Sequence, residues 1–429
     1  MRYLIQKFII ATFLATVTAL DYPSFDIIIN ESPYPEDMFI HSSGGGGNQF
    51  MAILDPDLNV KWYIVSTDGK GWDFKVNSNN MLTYFRKPSN DWTPSGGGIW
   101  HVMDQGMREV DTLSCVNGHQ ADFHDIQYTE SGGYLLQSYA KEMIDLPQTE
   151  VLDTANILII QEFDADHNLI MEWKNSDHMD IMDYVDEFNL DAPYRHWTHG
   201  NSVEIDYDGN IILSNRAMSE VIKFDRNTGD LIWRLGGPMN DFTFIDDLLQ
   251  GPNKQHDVRR LENGNIMIFD NGNQRTVPLT RVSEYQIDED AMTATLVWQY
   301  SHPDGYVSLN QGCAQRLDNN NTLISWGGVD GHGQIITEID YSGNRVMEIE
   351  YPDGYYSYKV RKSNWSFNVN LIEADINLDG DINIFDVVII VNFILSSSSP
   401  DPFYLYKADL NKTGSIDILD ILLILDLIL

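Results

Sequence analysis

The chain has 429 residues, with 64 Asp and Glu against 27 Lys and Arg, for a formal net charge of −37. A surface so acidic repels nucleic acid and anionic lipid head groups, attracts cations, and suits a salty or calcium-rich setting. The hydrophobic fraction of 43% is that of a folded protein, enough for one large core or for several domains.

Residues 1–19 read as an export signal. Arg2 and Lys7 flank an apolar run over 8–17, and Val17-Thr18-Ala19 offers small residues for cleavage. The run is too short to span a bilayer, so no membrane span is expected in the mature chain, which would be secreted, periplasmic or held at the cell surface. Only Cys115 and Cys313 follow, so disulfides are not the scaffold, and whether the two pair is open.

From about residue 36 a pattern repeats: polar start, short strand, Gly/Asn turn, second strand. It begins at His199 and turns at Gly209-Asn210, begins again at His256 and turns at Gly264-Asn265, and begins a third time at Cys313 and turns at Asn320-Asn321. These starts are 57 residues apart, and an earlier copy opens at His124-Asp125 and turns at Gly132-Gly133. Each unit has a second half, such as Asp225 to Gly229 before Leu231-Ile232-Trp233. Four short strands per unit, six units ending near Tyr63, Leu113, Trp173, Trp233, Trp298 and Ile349, predict an all-β six-bladed β-propeller within residues 20–365. The first strand of a blade lines the channel. Its start and the loop between strands two and three open on one face. His124, His199 and His256 fall at such starts, Arg275 and His332 in such loops, so all five are expected at one mouth. His119, His167, His196 and His302 fall in loops and are expected to face solvent.

Residues 366–429 are expected to form a linker and a small α-helical domain with a duplicated calcium loop. The first loop carries Asp375, Asn377, Asp379, Gly380, Asp381 and Asp386; the second carries Asp409, Asn411, Thr413, Gly414, Ser415 and Asp420. Oxygen ligands at loop positions 1, 3, 5, 7 and 12 around a glycine at position 6 suit seven-coordinate Ca²⁺. Each loop runs into an apolar segment, 387–395 and 421–429, about half the length of a membrane span.

The two in-register loops, with Asp at position 12, resemble a type I dockerin module, which implies Ca²⁺ and a cohesin-like protein partner. Thr413 departs from the acidic residue usual there. The motifs Trp197-Thr198-His199-Gly200-Asn201, Gln255-His256-Asp257, Asp270-Asn271-Gly272-Asn273-Gln274-Arg275 and Trp326 to His332 resemble the arylsulfotransferase family. That resemblance implies a six-bladed propeller moving a sulfuryl group from an aryl sulfate donor to a phenol acceptor through a sulfated histidine. No nucleotide donor and no catalytic cofactor are implied. The family's set of histidine, histidine, arginine, histidine falls in this reading on His199, His256, Arg275 and His332, with His332 as nucleophile; His124 and Asn201 would contact substrate. Asp125 and Asp257 keep open a lyase or hydrolase acting on an acidic polysaccharide. A non-catalytic binding propeller is the third reading.

Overall fold

The computed structural model describes residues 22–44, 48–67, 69–87, 97–149, 152–192, 194–396 and 400–429. The expected export signal lies outside them.

Short buried strands alternate with turns in which an Asp side chain accepts main-chain N–H groups. Asp164 Oδ1 takes the amides of Asp166 and Asn168, and Asp340 Oδ1 that of Asn344. Gly209 and Gly264 close the turns between first and second strands at φ of +83° and +86°. A Cβ at either would meet nothing, so it is the left-handed backbone that requires glycine there. Strands set by these turns pair antiparallel into six sheets of four. Blade two spans Lys70–Val76 to Glu109–Leu113, blade three Ala121–Tyr128 to Leu169–Lys174, and blade four Gly200–Ile205 to Leu231–Gly236. Blade five spans His256–Arg260 to Thr293–Tyr300, and blade six Cys313–Arg316 to Arg345–Glu350.

Blade one is built from both ends of the propeller. Val360–Ser363 is its innermost strand, paired with Asp37–Gly44 from Asp37↔Ser363 to Ile40↔Val360, and Asn48–Leu54 and Val60–Ser66 follow outward. This closes the ring. Three further strands escape a four-per-unit count: Asp26–Asn30 on the edge of blade six, Thr243–Ile245 on that of blade five, and Tyr194–Arg195 on the third strand of blade three. The ring is cored by clusters between neighbouring blades, each centred on a buried tryptophan or tyrosine such as Trp100, Trp173 or Trp326.

The C-terminal module holds helices Ile384–Leu395, Pro402–Ala408 and Ile418–Ile428 around Ile376, Val387, Ile390 and Ile424. Its first and last helices are the two expected from the sequence; the middle one is new. Asn383 and Asp417 cap them, with Asp386 and Asp420 completing reciprocal capping boxes. The module does not stand apart. Phe403 and Leu405 complete the apolar cluster of Phe39, Met51, Trp62 and Phe74, Tyr406 stacks on Trp62 at 6.1 Å, and Arg108 lies 4.3 Å over the Phe403 ring. Cys115 and Cys313 are both free and buried. Their sulfurs face different carbonyls, those of Gln137 and Val360, which closes the question of a disulfide.

Phe403→Ala should therefore weaken the propeller as well as the module, by about 3–5 kcal/mol, the usual loss for a buried phenylalanine. The midpoint of guanidinium unfolding, followed by tryptophan fluorescence of the ring, checks this.

Candidate active site

Three of the innermost strands are irregular at the same end. Strand Ala121–Tyr128 pairs through Ala121 and Ile126 but not between them, so Asp122 to Asp125 bulge out. The register also slips between Gly200 and Ser202 and between His256 and Val258, where Asp257 takes φ +51°. Bulges re-aim side chains. Here they turn His124, His199 and His256 toward one another.

His199 sits just before its strand. Its main-chain N–H donates to Asn215 Oδ1 at 3.0 Å and its carbonyl accepts from Arg216 N–H at 2.9 Å. The start of blade four is thereby tied to its own outer loop, the turn Arg216–Met218. Gly200 permits this approach: a Cβ there would come within 2.4 Å of Gln137 Oε1 and 2.7 Å of Leu158. His199 Nε2 lies 3.2 Å from His124 Nε2, and its ring lies 6.3 Å from that of His256. His124 Nδ1 meets the Asp122 carboxylate, and its ring stacks on Phe123 at 4.1 Å and edge-on to Tyr358 at 5.5 Å. His256 Nδ1 is 2.7 Å from Asn271 Oδ1. Asn201, fully buried, donates to the Gln255 carbonyl at 2.8 Å and joins blades four and five.

The pocket is cationic in a chain that is strongly anionic. Burial holds His199 and His256 well below the ordinary imidazole range, with the neighbouring histidines and Arg216 adding to it for His199 and Arg216 and Lys359 for His256. Both rings are neutral at neutral pH. Arg216 donates to the Leu309 carbonyl, and Lys359 Nζ to the His124 carbonyl at 2.7 Å. Deeper in the channel Asp125 and Asp257 are fully buried and held far below the carboxylate range by Arg259, Lys359 and Lys75, and by Arg361, Arg259 and Lys359 respectively. Their oxygens are occupied by cations and do not form the carboxylate-rich mouth that the polysaccharide reading needs.

Arg275 and His332 are not part of this cluster, a correction to the expected convergence of five residues. Both loops do open on the histidine face, but chain direction fixes the face and not the distance from the axis. Arg275 donates to Asp270 at 2.7 and 3.1 Å and to the carbonyls of Gly251 and Leu279. Its charge is spent holding the loop after Ile266–Asp270. His332 Nδ1 bonds Glu350 at 2.8 Å, on the fourth strand of blade six, three strands from the channel. The cleft beside it, about 310 Å³, is lined by Asp26, Glu350 and Asp353 and by no Lys or Arg, so it repels an anion. Sequence reasoning passed over Arg216, which lies in the corresponding loop of blade four. His196, expected in solvent, is exposed but stacks on His199 at 5.7 Å. His302, also expected in solvent, is buried against Glu348 at 2.9 Å and Tyr306 at 4.2 Å.

In the C-terminal loops the oxygen donors fit a cation. Asp375 Oδ1 and Asn411 Oδ1 are buried without a partner among the described residues. Leu378 and Gly380, and at the same positions Lys412 and Gly414, take positive φ, so both loops have one course. Asp386 and Asp420 turn their carboxylates to main-chain N–H groups at the loop start, and burial raises Asp420 to about 6. Among the described residues no three His, Cys, Asp or Glu side chains are placed so that they could hold a metal ion.

Residues 29–359 match the family model described as arylsulfotransferase (ASST), and residues 373–429 that of the dockerin type I domain. The chain is 28% identical over 385 residues to the arylsulfate sulfotransferase AssT of Escherichia coli O6:H1, an alignment covering 70% of this chain and 62% of that one. The matched part thus spans less than two thirds of that relative. Among solved structures it resembles a protein of unknown function from Bacteroides caccae (TM-score 0.49, 13% identity, 77% of this chain and 99% of that one). It also resembles the periplasmic gluconolactonase of Pseudomonas aeruginosa (TM-score 0.44, 9% identity, 77% and 99%).

His41 gives the ring a pH dependence of its own. It is 1% exposed, neither ring nitrogen has a partner among the described residues, and burial lowers it to about 3. A histidine depressed on folding contributes stability that is complete above its unfolded value near 6.5 and is lost as pH falls toward the folded value. His199 and His256 act in the same direction. These rings pull the unfolding midpoint down from pH 7 to pH 5, against the opposite pull of Glu220, which burial raises to about 7. His41→Gln should make the midpoint fall less over that range than in the parent protein.

Proposed function

This chain belongs to the arylsulfotransferase family, and we propose that it is an exported, nucleotide-independent aryl-sulfate sulfotransferase working through a sulfohistidine and tethered by a calcium-dependent docking module. The observation that carries the reading is the meeting of His124, His199, Arg216 and His256 at one channel mouth. In chain order they are histidine, histidine, arginine, histidine, the order that the resemblance implies. We assign the covalent step to His256 in place of His332, because an anionic donor is drawn to Arg216 and repelled by Asp26, Glu350 and Asp353.

The chemistry balances on these residues. The lone pair of neutral His256 Nε2 attacks sulfur, the bond from sulfur to the aryl oxygen breaks, and its electron pair leaves on the phenolate. His124, whose imidazolium the Asp122 carboxylate stabilises, gives that oxygen a proton. Arg216 meets the negative charge spread over the equatorial sulfuryl oxygens, and His199, whose Nε2 accepts from the Nε2–H of His124 at 3.2 Å, orients that acid. In the second half an acceptor phenol returns its proton to His124 and attacks sulfur, and the N–S bond breaks back onto His256. No cofactor enters the transfer.

In the C-terminal module Asp375, Asn377, Asp379, Asp381 and Asp386 would hold one Ca²⁺, and Asp409, Asn411, Thr413, Ser415 and Asp420 a second. The cation supplies the charge that the buried Asp375 and Asn411 oxygens lack a partner for. Ile384, Phe385 and Ile418, all exposed, stand at matching places in the two repeats and are free to meet a cohesin-like partner. No helix among the described residues is long and apolar enough to cross a membrane.

Turnover of a chromogenic aryl sulfate with added phenol tests the activity against a lyase and against a binding propeller. Kinetics should be ping-pong, and mass spectrometry after donor alone should find the added group on His256. Arg216→Ala should cost about 2.7–4 kcal/mol of barrier, as an oxyanion donor does, and Arg275→Ala much less. A group found on His332 returns the nucleophile to blade six. Calcium titration calorimetry should give two sites, reduced to one in Asp375→Ala.

A further inference from the structure

The partner on Nδ1 differs between the channel histidines: a carboxylate for His124 and a carboxamide for His256. The orientation of that carboxamide follows from its other contacts. Asn271 Nδ2 donates to the Ser308 carbonyl at 3.3 Å, to Ser308 Oγ at 3.1 Å and to the Gln311 carbonyl at 3.0 Å. Turning the amide over would set its oxygen against those two carbonyls, so it is Oδ1 that faces His256. An amide oxygen only accepts. His256 Nδ1 must therefore carry a proton, and the neutral ring has its lone pair on Nε2.

The amide is firmly held. Asn271 is fully buried, and its carbonyl accepts from Thr280 Oγ1 at 2.6 Å. Its neighbour Asp270 is pinned by Arg275 and Arg281. Around His256 stand Arg216 from the blade-four turn, Lys359 ahead of the closing strand, and the rings of His124 and His199. None of these is an anion that would favour a second proton on the ring. His124, whose partner is Asp122, is built for the opposite task.

We infer that Asn271 is a positioning residue that selects the Nδ1–H tautomer of His256 and so presents Nε2 as the sulfuryl acceptor, an inference that rests on the sulfuryl-transfer reading above. Arg275 then acts at one remove, by holding the corner that carries Asn271. Replacing the amide by a carboxylate should make the His256 ring more basic and a poorer nucleophile near neutral pH.

Histidine-selective ¹⁵N NMR of the full chain at neutral pH reads the tautomer without substrate, the His256 signals being those lost in His256→Gln. The expected ring is protonated on Nδ1 and not on Nε2, and Asn271→Ala should abolish that preference. In aryl-sulfate turnover Asn271→Ala should lower kcat about 10–100-fold with KM little changed, by analogy with the loss when the outer partner of a metal-bound histidine is removed. Asn271→Asp should move the acid limb of the first half-reaction to higher pH. A wild-type ring protonated on Nε2, or an Asn271→Ala protein with tautomer and acid limb unchanged, overturns the inference. An Nδ1–H ring that never becomes sulfated leaves the tautomer assignment standing and overturns the transfer reading instead.

Discussion

Arg259 of blade five reaches Asp125 on the innermost strand of blade three at 2.8 Å and Asp257 on its own strand at 3.0 Å, inside the channel where six sheets converge. Lys75 bonds Asp73 and Asp125, Arg361 bonds Asp257, and Lys359 lies within 4 Å of both buried carboxylates. The same carboxylates accept main-chain N–H groups of Val203 in blade four and Ala314 in blade six. All six innermost strands are thereby tied to one charge network. Its value lies less in net stability than in what removal would do, since one missing partner leaves an unpaired buried charge, at about 3–5 kcal/mol. The network forms the floor on which the three histidines stand, and it neutralises carboxylates that would otherwise repel an anion from the pocket.

The electrostatics separate the two faces of the protein's behaviour. Over the whole chain acidic groups outnumber basic ones by more than two to one. At the channel mouth Arg216 is positioned by the Leu309 carbonyl and keeps its charge for whatever enters, while Lys359 is shared between the His124 carbonyl and the buried Asp125 and Asp257. The acids collect elsewhere, on the outer edge of blade six and in the C-terminal loops, where they suit cations. Those loops are mechanically joined to the ring. The helix Pro402–Ala408 is capped by Asp401 and places Phe403 in a cluster shared with blade one, the blade closed by Val360–Ser363. Docking module and ring closure thus share one piece of apolar core.

Much of the fold was legible because its signals are local. Asp and Asn at turn corners, Gly at left-handed positions, and strands of four to eleven residues between them specify blades without reference to any distant residue. The six unit ends read from the sequence fall in or beside the fourth strands of the six blades. What escaped was contributed from far away in the chain. Val360–Ser363 reads as a short polar-apolar stretch like many others, and only its pairing with Asp37–Gly44 makes it the closing strand. Asp26–Asn30 and Thr243–Ile245 are edge additions for the same reason.

The sequence by itself determined that His199 and His256 stand at equivalent strand starts, because the 57-residue spacing and the turn pattern repeat together, with His124 opening a looser copy. It also determined the two matched acidic loops, whose oxygen donors lie within twelve residues of one another. The tertiary structure alone shows which arginine lies beside them and brings His124 to His199. Arg216 and Arg275 occupy corresponding loops of adjacent blades, and His332 another, so topology places all three on one face. Whether a side chain reaches the axis depends on its partners. Asp270 neutralises Arg275 and Glu350 holds His332 at the rim, while the turn after Asn215 leaves Arg216 beside His199. A repeat pattern carries chain direction and register, but the radius at which a side chain settles is set by contacts between blades.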